Sequence, residues 1–98
     1  MIHLKYKQDG YEQTIDGKDY RWVVRDSNKK ILDKHHNIPQ IGDTLILDPY
    51  SSMSPYQTKP IISITSISDS IIEFKTKQHE YTFYLPKYFQ DIYEKFKN

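Results

Sequence analysis

KHHNIPQIGDTLILDPY, residues 34–50, sets two adjacent histidines, a Gly-Asp step and a Pro-Tyr exit around one short apolar run. Read for chemistry, it offers imidazoles and a carboxylate. Read for structure, it is a β-strand with its approach and exit, and local rules favour that reading. Pro39 pushes Ile38 out of the helical region into an extended approach. Gly42-Asp43 supplies the turn, Leu45 and Leu47 alternate with Thr44 and Ile46, and Pro49 ends the run. Ligands sharing a metal ion need one face, i and i+2 on a strand or i and i+4 on a helix. His35 and His36 are adjacent and point apart when extended. Asp33 and His35 do share a face, which makes two ligands only. No metal is expected.

Working outward, the same punctuation recurs. Ile2, Leu4 and Tyr6 alternate with polar residues up to Asp9-Gly10, a type I′ hairpin pair. Tyr11 to Ile15 reads as a second short strand, ended by another such pair, Asp16-Gly17. Tyr20, Trp22 and Val24 then share one strand face, with Arg21, Val23 and Arg25 on the other. Asp26 to Lys29 is turn chemistry, and Lys30 to Lys34 returns. Ile61–Ile67 and Ile71–Thr76 form a hairpin about Asp69-Ser70, and Lys77-Gln78-His79 turns into Tyr81, Phe83 and Leu85 on one face. Beyond Pro86, Phe89, Ile92, Tyr93 and Phe96 recur at i, i+3, i+4 and i+7, a helical stripe.

Short strands at such spacing predict a mainly β single domain over residues 1–98. Residues 1–85 form a small SH3-like or OB-like barrel, or a strongly bent antiparallel sheet. A C-terminal α-helix over 86–97 packs on it, since a helix that short is marginal alone in water. Closure would hide the ITSISDSIIEF edge, which otherwise invites aggregation.

Composition bounds the function. The 98 residues carry a formal net charge of +1, against the strongly basic field of a dedicated duplex-DNA binder. The absence of cysteine excludes disulfides, thiolate zinc sites and cysteine nucleophiles. No apolar run approaches the roughly 20 residues of a membrane span. MIHLKYKQDG has no signal-peptide apolar region, so a cytoplasmic location is expected. Isoleucine, lysine and tyrosine abound while alanine is absent, a bias that points to an AT-rich bacterial or phage genome. No G-x-S-x-G elbow or glycine-rich phosphate loop is present, so neither an enzyme nor a cofactor is expected.

The run GDTLILDP, followed ten residues later by KPIISITSIS, resembles the bacterial mRNA-interferase toxins. There a Gly-Asp opens a strand, a long loop follows, and Arg-Pro leads the next apolar strand. The resemblance covers under half of the chain and implies an SH3-like barrel. It carries no catalytic residue across, because Lys59-Pro60 stands for Arg-Pro, the loop lacks a Glu-Gln pair, and some forty residues precede Gly42. RNase activity of the toxin type is accordingly the third functional reading.

Two surfaces remain. The loop 49–60, PYSSMSPYQTKP, is long for a β connection, and such loops are often functional. Tyr50, Met53 and Tyr56, with Lys59 at the rim, make it the leading candidate, a recognition loop for a protein partner of adaptor, inhibitor or immunity type. The alternative is single-stranded nucleic acid on a basic strand face of Lys5, Lys7, Arg21, Arg25, Lys75 and Lys77. Trp22, on an alternating strand, is expected in the core.

Overall fold

A computed structural model describes residues 2–50, 54–68 and 70–85. Met53 and the helix expected over 86–97 lie outside the described residues. Asp9 and Gly10 both take positive φ, 54° and 82°, so they make the two-residue turn that joins β1 (Ile2–Gln8) to β2 (Tyr11–Arg25). Asp26 closes the next connection. Its Oδ1 accepts from the Asn28 and Lys30 N–H groups at 2.8 and 2.9 Å, and Lys29 turns left-handed at φ 63° before β3 (Ile31–His36).

The remaining strands are β4 (Thr44–Pro49), β5 (Tyr56–Gln57), β6 (Ile61–Ile67), β7 (Ile71–Thr76) and β8 (Glu80–Tyr84). All pair antiparallel in one sheet, in the order β5-β4-β2-β1-β8-β7-β6, with β3 against β2 as well. β2 is long enough to serve three partners. Its first half pairs with β1, while Trp22 faces both Leu45 of β4 and His36 of β3.

The sheet is not closed, so of the two expected architectures the bent sheet describes it. Among the described residues its ends are tied through Ile61. The Gly42 N–H donates to the Ile61 carbonyl at 2.8 Å, and the Ile61 N–H donates to the Asp43 carbonyl at 2.9 Å. Asp43 itself is buried. Its Oδ2 accepts from the Gln40 N–H at 3.0 Å and lies 2.7 Å from His36 Nδ1. The Gly-Asp step is thus a clasp between β3, β4 and β6, built from the segment that opened the sequence.

One face of the sheet carries the core. Ile2 and Leu4, Leu45 and Leu47, Ile72 and Phe74, and Tyr81, Phe83 and Leu85 are buried together at alternate positions of their strands. Trp22 lies among them, 1% exposed, and meets Phe74 and Phe83 edge-on, each at 5.5 Å between ring centroids. Such pairs add about 0.5–1.5 kcal/mol beyond area burial. Its indole N–H has no hydrogen-bond partner among the described residues. Among those residues no helix is long and apolar enough to cross a membrane.

Asp16-Gly17 departs from the sequence reading. It makes no turn, because β2 runs straight through it. Gly17 lies between Ile2 and Pro49 at a register shift, and a Cβ there would overlap the side chain of Leu47. The glycine admits the close approach of a fully buried leucine. Gly17→Ala therefore overpacks the core and is expected to cost about 1–3 kcal/mol in urea unfolding. A change below about 0.5 kcal/mol would show that Leu47 has room to move.

Candidate functional site: two cationic grooves

Strand alternation places Lys5 and Lys7 opposite to Leu4 on β1, on the outward face of the sheet. β8 lies between β1 and β7 and carries the small Thr82 opposite Lys5, so the lysines of β1 and β7 flank a shallow channel. Lys5, Lys7, Lys75 and Lys77 line this first groove, about 550 Å³, with Glu12 and Glu80. Lys5 reaches Glu12 at 3.6 Å and Lys75 reaches Glu80 at 3.2 Å. Both pairs are exposed, so each contributes roughly 0–1 kcal/mol. Lys7 and Lys77 have no carboxylate partner among the described residues. Tyr6 and His79 also line it, but the same alternation puts the Tyr6 ring on the core face, 4.7 Å from the His79 ring and packed against Tyr56 and Tyr81.

A second groove, about 780 Å³, begins across the β7–β8 turn. Lys77 and Gln78 line both. Arg25, Lys29 and Lys59 add their charges, and Pro60 and Ile62 supply an apolar wall. Arg25 is held in position. Its Nε donates to Thr44 Oγ1 at 2.5 Å and Nη1 to the Lys29 carbonyl at 2.6 Å. Asp26 is the one carboxylate lining this groove, and its Oδ1 is occupied by the Asn28 and Lys30 amides of the turn.

Together the grooves form one tract. Five of the six residues of the expected nucleic-acid face line it: Lys5, Lys7, Arg25, Lys75 and Lys77. Arg21 does not. A register shift between Val23 and Arg25 separates the two arginines, and Arg21 instead pairs with Asp48 at 3.2 Å, beside a smaller groove lined by Lys34 and His35. Lys29, Tyr6 and His79 are not singled out by the sequence. The only signal for Lys29 is the Asp26 turn, which brings the chain back onto Arg25.

The 49–60 loop divides. Tyr50 is 61% exposed, and Met53 is not described. Tyr56 belongs to β5, pairs with Leu47, and stacks on Tyr6 at 5.8 Å. Its hydroxyl lies 2.9 Å from that of Tyr81. Thr58 anchors the chain beyond β5. Its N–H donates to the Leu45 carbonyl and its hydroxyl accepts from the Leu45 N–H. Lys59 emerges exposed at the rim of the second groove. Three or more metal-ligating side chains gather nowhere among the described residues. His35 is exposed, whereas His36 is committed to Asp43.

The fold and site define a class, a bent antiparallel β-sheet with a cationic tract across two grooves. No family model, curated protein or solved structure matches the chain.

Burial raises the pKa of Tyr56, and the hydrogen bond to Tyr81 adds to the rise. Burial also raises Tyr81, where the bond to Tyr56 offsets part of the shift. Tyr20 is raised by burial and by the adjacent Asp19 carboxylate. The folded state therefore favours the neutral phenols. Their stabilisation is complete below the ordinary tyrosine value near 10, and it falls as pH rises beyond that and the unfolded chain ionises first. Tyrosinate absorbance is expected to rise in two phases, the second coinciding with loss of near-UV circular dichroism. The double variant Tyr56→Phe/Tyr81→Phe should move alkaline unfolding to higher pH. A single phase near pH 10 with the fold intact would contradict the burial of these hydroxyls.

Proposed function

We propose that the protein is a non-enzymatic binding module whose ligand is single-stranded nucleic acid, held along the tract that joins the two grooves. The observation that carries this is the charge along that tract. Lys5, Lys7, Lys75 and Lys77 continue into Arg25, Lys29 and Lys59, while Glu12, Glu80 and Asp26 are the acidic residues among the linings and Glu73 stands outward beside Lys75. A chain with a net charge of only +1 thus concentrates cations on one surface. Local fields of that kind attract polyphosphates whatever the overall charge. A groove this small on a bent sheet suits one flexible strand better than a duplex. A bacterial or phage source and a cytoplasmic setting belong to the same proposal.

A second reading rests on Tyr50. Its exposure beside Pro49 fits an anchor for a protein partner. With Tyr56 stacked into the sheet, however, that anchor has lost one of its expected companions.

Labelled random-sequence single-stranded RNA, titrated by fluorescence anisotropy, tests the leading reading. Binding is expected at low salt and should weaken steeply as salt rises, because each phosphate contact releases counterions. Lys5→Gln/Lys7→Gln should flatten the slope of log K against log [salt] by about 1–2 without moving the melting temperature. The RNA should be recovered intact, since fragments would instead favour the toxin-type nuclease. No binding at low salt would overturn the proposal and leave the Tyr50 surface as the remaining site.

A further inference from the structure

The two grooves differ in a way that a uniform run of phosphodiesters does not require. In the first, four lysines face two carboxylates, and both carboxylates are paired. In the second, Arg25, Lys29, Lys59 and Lys77 face Asp26 alone, whose Oδ1 accepts from two turn amides. Lys29, Lys59 and Lys77 have no carboxylate partner among the described residues. Arg25 is fixed by two hydrogen bonds, and a guanidinium has five N–H donors, so three are left for a ligand. The second groove also has an apolar wall, which the first lacks. Ile62 is the extra residue at the register shift between Ile61 and Ser63 of β6. It is 52% exposed and lines the groove beside Pro60.

Concentrated positive charge beside an apolar wall fits a compact dianion attached to a flat, partly apolar body. We propose that the second groove is the site of a terminal phosphomonoester, the phosphorylated end of a strand whose following nucleotides lie in the first groove. A phosphomonoester carries about −1.5 to −2 charges near neutrality, more than the single charge of a diester, and offers three acceptor oxygens. Arg25 with Lys29 and Lys59 would take the phosphate. The terminal sugar and base would lie against Pro60 and Ile62. Lys77, shared by both grooves, would hold the next phosphate. This site rests on the nucleic-acid reading above.

One oligonucleotide, prepared with a 5′-phosphate, a 3′-phosphate or hydroxyl ends, should be titrated against the intact protein and against Lys29→Asn/Lys59→Gln. Asparagine tolerates the positive φ of position 29, so the melting temperature should hold. One phosphorylated form is expected to bind about tenfold more tightly than the hydroxyl form. The double variant should lose that preference, while the hydroxyl form weakens only by the smaller, salt-dependent factor that two lost cations of the tract impose. Inorganic phosphate and a mononucleotide should compete away only the added affinity. Equal binding of all three forms would overturn the proposal and leave the nucleic-acid reading standing. So would a variant that weakens all three by one factor. A mononucleotide that binds as tightly as the phosphorylated strand would show a free-nucleotide site instead. If none of the three binds, both readings fall.

Discussion

Asp43 is the point on which the rest of the structure depends. A carboxylate 2% exposed is costly to bury unless its oxygens are satisfied. Here Oδ2 meets His36 Nδ1 and the Gln40 N–H, while the backbone of the same residue bonds to Gln40 and to Ile61. Three strands meet there: the end of β3 through His36, the start of β4 through Asp43, and the start of β6 through Ile61. The sheet therefore bends until its ends touch without forming a ladder between them. The adjacent histidines divide the work, one holding the clasp and the other facing solvent.

The clasp also makes the second groove. It brings Lys59-Pro60 and Ile62 of the β5–β6 segment beside Gly42 and opposite the β2–β3 turn. Arg25 then spans from that turn to Thr44, the residue after Asp43. Charges far apart in sequence become neighbours because one buried carboxylate fixes where the ends of the sheet meet. The aromatic core supplies the stiffness behind this surface. Without alanine to fill gaps, Trp22, Phe74, Phe83 and Tyr81 pack edge-to-face or stacked. Tyr6 and Tyr56 extend that packing at its margin.

Much of this is legible in the residues alone. β6 and β7 have the bounds that their isoleucine runs predict, and Asp9-Gly10 adopts the turn its residue types demand. Alternation alone puts Lys5, Lys7 and Lys75 outward, and the turn residues place Lys77 beyond them. What misleads has a physical cause in each case. Asp16-Gly17 looks like Asp9-Gly10, but a missing Cβ serves a close contact as well as a turn, and only Leu47, distant in sequence, decides which. Arg21 and Arg25 share a face in a regular strand, and the register shift after Val23 sends them to different grooves. Tyr56 belongs to a strand of two residues, too short for any periodicity to reveal. Its partners, Tyr6 and Tyr81, are fixed only by the tertiary pairing of β1 with β8. The clasp itself reads as turn chemistry in the sequence, because a histidine seven residues from an aspartate carries no local signature.

The central claim is that the tract from Lys5 to Lys59 is one functional surface. Backbone amide shifts of the isotope-labelled protein, followed as single-stranded RNA is added at low salt, test it most directly. Shifts should concentrate at residues 5–7, 25–29, 59–62 and 75–82 and leave Tyr50 and the Arg21–Asp48 region unmoved. Shifts centred on Tyr50 or on Arg21, Lys34 and His35, or none at all, would contradict the claim.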